Sequence, residues 1–250
     1  MTNQETPTII GENLRFLADE ETSIEFRGEF GTSPLARQLM QAFVDALAIR
    51  TKLPQWIRTM PGMSGRKYRY LINNLVGSIS NPRYLEIGSW AGSTACSAIH
   101  GNSVVAVCVD NWSEFGGPKD AFAANIARAL TPNVKFSFVE GDFRTVDFIT
   151  LGRFNVYFFD GPHEEQDQYD GLTRVFPALE DEFVLVVDDY NVDRVVRGTE
   201  SALQHLPVSI VGSITIRTSQ LNRTPNIVFQ YSDWHNGYQL MVCRKTSGAA

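Results

Sequence analysis

Short, uniformly apolar runs alternating with amphipathic segments constrain this chain more than any other feature. Val104-Val-Ala-Val-Cys-Val109, residues 154–159 and Phe183-Val-Leu-Val-Val187 read as strands buried on both faces. A parallel sheet covered by helices on each side requires strands of that kind. From Pro82 onward the alternation predicts strands near 83–87, 104–109, 134–139, 154–159 and 183–187. Helices are expected near 91–99, 119–130, 164–178 and 192–205. Ser209–Ile216 and Tyr238–Cys243 suit an antiparallel pair closing one sheet edge. The expected fold is a doubly wound, mostly parallel α/β sheet of seven strands with a helical amino-terminal extension.

That extension is read from a different periodicity. Leu35, Leu39, Phe43 and Leu47 recur every four residues, which predicts a helix from Pro34 to Arg50 capped by Ser33. Pro54 and the Met60-Pro-Gly-Met63 turn interrupt the chain, and a second helix is expected over Gly65–Val76. Ile24–Phe30 alternates at first and is compatible with a short strand; the rest of residues 1–33 carries no readable pattern. The division that results is an extension or lid over residues 1–80 and a main domain over 81–250.

Bulk composition narrows the function classes. The 43% hydrophobic and 20% charged fractions are ordinary for a soluble globular chain. No apolar run approaches the roughly 20 residues of a membrane span. Met1–Thr6 has neither the basic flank nor the apolar stretch of a secretory signal. Cys96, Cys108 and Cys243 form no CxxC motif and are expected as reduced packing residues of a cytoplasmic protein. A formal charge of −6 argues against a nucleic-acid backbone as the main partner and leaves a small-molecule substrate open.

Chemistry concentrates where the strands end. Glu86-Ile-Gly88 with Gly92 marks one strand exit; Asp110, Asp142, Asp160 and the pair Asp188-Asp189 mark four others. In open α/β sheets ligands bind in the crevice outside the carboxyl ends of the strands. Gly88 permits a sharp exit, and Gly92 allows close approach of a helix or ligand. Asp110 stands where a carboxylate commonly meets ribose hydroxyls. Asp142 suits an adenine amino group, with Phe143 packing on the ring. Turn and cap residues are the plain alternative for each of these positions taken singly.

Glu86-Ile-Gly-x-x-x-Gly92, Asp110 and Gly141-Asp142 resemble the cofactor motifs of class I S-adenosylmethionine-dependent methyltransferases, over residues 82–206. The resemblance implies a Rossmann-like sheet and a cofactor held by Glu86, Gly88, Ser89, Gly92, Ser93, Asp110, Asn111, Asp142, Phe143 and Asp160. Trp112 is a further candidate, and Trp112-Ser-Glu-Phe-Gly-Gly117 would suit a lid.

Asp160, Asp188 and Asp189 converging without a basic partner would repel one another, a difficulty that a hard divalent cation removes. Oxygen ligands without a nearby cysteine point to Mg²⁺ or Mn²⁺. His163, on the Gly161-Pro162 turn, can reach the cleft mouth as a general base. His100, His205 and His235 lack such company and are read as structural or surface groups. The arrangement is similar to metal-dependent O-methyltransferases of the catechol type and of the macrocin, aminocoumarin-sugar and mycobacterial mannoside types. It departs from both patterns. The catechol type carries lysine where His163 stands, and many sugar enzymes carry Asp where Pro162 stands.

The resemblance implies methyl transfer to a hydroxyl of a small polar acceptor, a saccharide first and a catechol or other phenol second. A nicotinamide oxidoreductase would also use a glycine turn and Asp110, but the glycine spacing is not GxGxxG. A non-catalytic S-adenosylmethionine-binding module would have no use for His163 and three acids. The amino-terminal helices could fold over the site or pair with a second subunit as a homo-oligomer.

Overall fold

A computed structural model describes residues 22–246. The amino-terminal part gives β1 (Ser23–Gly28), α1 (Pro34–Leu47), α2 (Gln55–Thr59) and α3 (Arg66–Ser78). The alternating part runs β2 (Arg83–Ile87), α4 (Ser93–Ile99), β3 (Val104–Asp110), α5 (Lys119–Ala129) and β4 (Val134–Glu140). It continues through α6 (Phe148–Leu151), β5 (Phe154–Phe159), α7 (Glu165–Val175), β6 (Leu179–Asp188) and α8 (Asp193–His205). Two long strands, β7 (Val208–Arg217) and β8 (Tyr238–Lys245), complete the described chain.

The strands form one sheet in the order β1-β7-β8-β6-β5-β2-β3-β4. The pairs β2–β3, β2–β5, β3–β4 and β5–β6 are parallel, whereas β6–β8, β7–β8 and β1–β7 are antiparallel. The sheet has eight strands, one more than the sequence predicts. The extra strand is β1, which adds to β7 and makes the outer edge, so β7 and β8 are interior. The amino-terminal extension is therefore not purely helical. Its alternation, Ile24-Glu-Phe-Arg27, is that of an edge strand, and only Ile24 among its residues is more than marginally covered.

Burial on both faces follows from the strand pattern. Leu85, Ile87, Tyr157, Phe159, Leu185 and Val187 point into one core with α7 and α8. Their neighbours Tyr84, Phe158, Val184 and Val186 point into the other, which α1, α3, α4 and α5 cover. The helices α1 and α3 thus share a core with the sheet. Ser33 caps α1 as expected, its Oγ accepting from the Ala36 N–H at 3.2 Å. Cys96, Cys108 and Cys243 are buried and unpaired. Among the described residues no helix is long and apolar enough to cross a membrane.

The order of connections reverses at β2, whose parallel neighbours are β3 on one side and β5 on the other. The crevice between the ends of β2 and β5 is where such folds bind ligands.

Candidate active site

Gly88 stands at that reversal with φ +84°, and a Cβ there would lie 1.8 Å from the carbonyl oxygen of Asp160. Only glycine allows the exits of β2 and β5 to run this close. The cleft beyond is lined by Gly88, Asp110, Asn111, Asp142 and Phe143 at one end. Asp160, His163, Asp188 and Asp189 line the other. Nine sequence-predicted site residues therefore meet around one space, brought there by β2, β3, β4, β5 and β6.

At the cofactor end the acids already have partners. Asp110 Oδ2 accepts the N–H groups of Ser89 and Trp90 at 2.8 and 2.9 Å, and Oδ1 accepts that of Trp112 at 2.8 Å. The carboxylate thereby ties the glycine-marked loop to the 111–117 loop. A carboxylate offers about four lone-pair sites, so one remains for a ligand hydroxyl. Asp142 accepts from the Arg144 guanidinium at 3.0 and 3.1 Å and from its backbone N–H at 2.9 Å. Arg144 also contacts Asp167 and lies over the Phe143 ring, 4.6 Å from its centroid. Asn111 turns inward on its own loop, accepting from Ser113 N and Oγ at 3.1 and 2.7 Å.

Four expected cofactor residues stand behind the wall of the cleft. Glu86 is fully buried; burial raises its pKa to about 7, against the opposing hydrogen bond from the Tyr84 hydroxyl. Ser89 contributes through its backbone N–H rather than from the cleft surface. Gly92, at φ +81°, lets the loop sit on the Phe122 ring, 3.0 Å from the position of a Cβ. The Ser93 hydroxyl is joined to that of Ser64 at 2.9 Å.

That last contact anchors a segment the sequence leaves unread. The buried Arg69 guanidinium donates to the carbonyls of Ile57 and Met60, both at 2.9 Å, and to Ser64 Oγ at 3.0 Å. Burial lowers its pKa to about 10. The clamp ties the end of α2 to the 60–64 loop, in which Met63 forms part of the cleft wall. Trp90, Trp112 and Phe115 add aromatic surface, with Trp90 Nε1 donating to the Phe115 carbonyl at 2.9 Å.

The other end is built differently. Asp188 is 2% exposed, and its pKa is raised well above the carboxylate range, first by burial and then by Asp160 and Asp189. Asp160 is raised in the same direction, by burial and by Asp189, although 20% of its side chain faces the cleft. The Oδ1 atoms of Asp188 and Asp189 are buried without a hydrogen-bond partner among the described residues. His163 Nε2 lies 3.1 Å from Asp189 Oδ2 and 3.6 Å from Asp160 Oδ1, aligned as a hydrogen bond with neither. Asp189 holds φ +55°, a strained conformation for a residue with a side chain.

His235 is a buried structural group, but it does not lack acidic company as the sequence suggested: it lines the cleft, with Nε2 3.9 Å from Asp189 Oδ1. Burial lowers its pKa, against the attraction of Asp189. Asp188, Asp189 and His235 can place one ligand atom each within 4.8 Å of one another. Nothing local around Asp233-Trp-His-Asn-Gly237 announces this, because the acids it meets follow a different strand.

The cleft lies within a stretch of chain that has relatives. Residues 85–190 match a family model described as a methyltransferase domain. The match runs from β2 to just past β6 and contains Gly88, Asp110, Asp142, Asp160, His163, Asp188 and Asp189. No curated protein sequence matches the chain. Among solved structures, a candidate SAM-dependent methyltransferase from Streptococcus mutans aligns at 11% identity and TM-score 0.50, covering 72% of this chain and 48% of its own. A candidate RNA methyltransferase from Pyrococcus horikoshii aligns at 14% identity and TM-score 0.49, covering 85% and 98%. The O-methyltransferase TomG from Streptomyces achromogenes, in complex with SAM, aligns at 17% identity and TM-score 0.48, covering 84% and 90%. The strand order and the cleft at its reversal agree with a methyltransferase domain over residues 85–190.

Proposed function

We propose that the protein transfers a methyl group from S-adenosylmethionine to a hydroxyl of a small polar acceptor, with a saccharide as the first class to test. The observation that carries the proposal is the convergence of Asp160, Asp188, Asp189 and His163 beside Gly88, with carboxylate oxygens left buried and unpartnered. Buried polar atoms of that kind call for a partner. Acids pushed toward protonation by burial and by one another would be relieved by a divalent cation at Asp188 and Asp189, with Asp160 as a third oxygen ligand from the neighbouring strand end. All-oxygen ligation suits Mg²⁺ or Mn²⁺. When bound, such a cation would polarise the acceptor oxygen and lower the pKa of its hydroxyl.

The chain's own residues supply the remainder. His163 takes the hydroxyl proton at a ring nitrogen as the oxygen attacks the methyl carbon. The carbon–sulfur bond breaks and sulfur keeps the electron pair, leaving S-adenosylhomocysteine. The Asp189 carboxylate, 3.1 Å from His163 Nε2, stabilises the imidazolium that forms. Gly88 and the loop tied by Asp110 position the cofactor, and much of the rate gain comes from that positioning. The charge of −6 favours a small-molecule acceptor over a nucleic acid.

The test is a screen of sugars and catechols with methyl-labelled S-adenosylmethionine, with Mg²⁺ and with EDTA. Turnover that disappears in EDTA and returns with Mg²⁺ is the expected result. Full activity in chelator refutes the cation, and absence of labelled product with any hydroxyl compound refutes the acceptor class.

A further inference from the structure

His235 sits among candidate metal ligands, yet its hydrogen bonding argues that it is not one. The backbone N–H of Phe229 donates to His235 Nδ1 at 3.0 Å. A nitrogen that accepts a hydrogen bond carries no proton, so in the neutral ring the proton resides on Nε2. The charged imidazolium, with protons on both nitrogens, would set Nδ1–H against the Phe229 N–H. Nε2 therefore presents a donor to the cleft, with no lone pair for a cation.

The ring has little freedom to turn. It stacks on Phe229 with centroids 5.3 Å apart and planes 25° apart. Its backbone N–H donates to Ser232 Oγ at 2.7 Å, and its carbonyl accepts from the Thr218 hydroxyl at 2.7 Å. Asp189 Oδ1, which faces Nε2, has no hydrogen-bond partner among the described residues, and with two lone pairs it can still accept one hydrogen bond if a cation takes the other. The 3.9 Å between them is too long for a direct hydrogen bond. A donor and an acceptor at that separation match one hydroxyl group, whose oxygen receives Nε2–H while its own proton goes to Asp189.

We propose that His235 and Asp189 Oδ1 form a donor–acceptor pair that seats a hydroxyl of the acceptor molecule, with His235 acting as a specificity-determining residue outside the cation's ligand set. This rests on the reading of the cleft as a hydroxyl-methylating site. A second hydroxyl beside the reacting one would be recognised in this way.

Three measurements on the full chain test the pair. Long-range ¹H–¹⁵N spectra of the labelled wild-type protein, with His235 assigned by its loss in His235→Gln, should show Nε2 protonated and Nδ1 bare at pH 7.5. The opposite tautomer, or an imidazolium, overturns the proposal. Addition of glycerol, methyl glucoside or catechol to the complex with S-adenosylhomocysteine should move the His235 Nε2 resonance in at least one case. No movement with any of the three overturns it as well. In the wild-type protein the Nε2 proton should remain when Mg²⁺ is added to saturation, because a ligating nitrogen carries no proton. Its loss on addition of Mg²⁺ would make His235 a ligand and end the argument. Activity that survives EDTA would remove the cation while leaving the first two measurements to judge the hydroxyl pair.

Discussion

The two ends of the cleft hold acids in opposite states. At the ends of β3 and β4, Asp110 and Asp142 are satisfied by backbone N–H groups and by Arg144. At the ends of β5 and β6, Asp160 and Asp188 are pushed toward protonation, and Oδ1 of Asp188 and of Asp189 lack hydrogen-bond partners among the described residues. The same residue type at equivalent places in the sheet thus does two jobs. One set is complete and organises loops before any ligand arrives. The other is incomplete and invites a positive charge. A buried carboxylate without a donor is destabilising, so the fold tolerates at β5 and β6 what it avoids at β3 and β4.

Four experiments would break or sharpen that contrast. The largest effect should come from His163→Ala, which is expected to cut turnover by about 10²–10⁴ while S-adenosylhomocysteine affinity stays near wild type. Calorimetry and steady-state rates check both, and an unchanged rate would remove His163 from the chemistry.

Glu86→Gln probes the buried acid beneath the glycine loop. The folded-state pKa of Glu86 is raised to about 7, so the folded protein holds that proton more tightly than the unfolded chain. Stability associated with it is present below the ordinary carboxyl value and declines as pH rises through about 7. The full difference is about 3 kcal/mol. Denaturant melts from pH 4.5 to 8 should therefore be flatter for Glu86→Gln, which should be the more stable protein at pH 8. A parallel pair of curves would contradict the burial assigned to Glu86.

Mg²⁺ should raise the melting temperature of the wild type, with a gain of about 2.7 kcal/mol at 100 times Kd. Asp188→Asn should abolish that response and, by relieving repulsion, should itself melt higher than the metal-free wild type. The sign is informative: Asp188 is raised, so the metal-free protein loses stability as pH rises, and the gain from Mg²⁺ should grow with it. A metal-independent melting curve would leave the unpartnered oxygens without an explanation.

The smallest effect is expected for Asp110→Asn, at the satisfied end. Its carboxylate accepts from three backbone N–H groups, and the amide cannot replace all of them. S-adenosylhomocysteine affinity should fall about 10- to 100-fold, as for charged hydrogen bonds. Affinity within twofold of wild type would mean that the loop keeps its shape without Asp110.

Much of the layout was legible in the chain itself. The apolar runs at 104–109, 154–159 and 183–187 became β3, β5 and the carboxyl-terminal half of β6. Ser33 capped α1, and the acid-ending strands delivered their residues to one cleft. The rest was harder to read, because the signal was weak or distant. Ile24–Phe30 begins with the alternation of a short strand, and only pairing with β7 makes it the eighth strand of the sheet. Glu86 and Ser93 belong to a motif that suggests a ligand, but each has turned to a protein neighbour. His235 lies far from Asp189 along the chain, and the connection between β7 and β8 brings it there.

What the sequence determined alone was periodicity and punctuation: which segments become strands, which faces are apolar, and that glycine or acid ends each of β2 to β6. Those are local properties, set by the side-chain period of a strand and by the few residues able to turn sharply. Which acids would be satisfied and which left wanting was decided only by tertiary structure. Burial, neighbouring charge and the reach of a donor's proton depend on groups that meet across the sheet, and separation along the chain does not encode those distances.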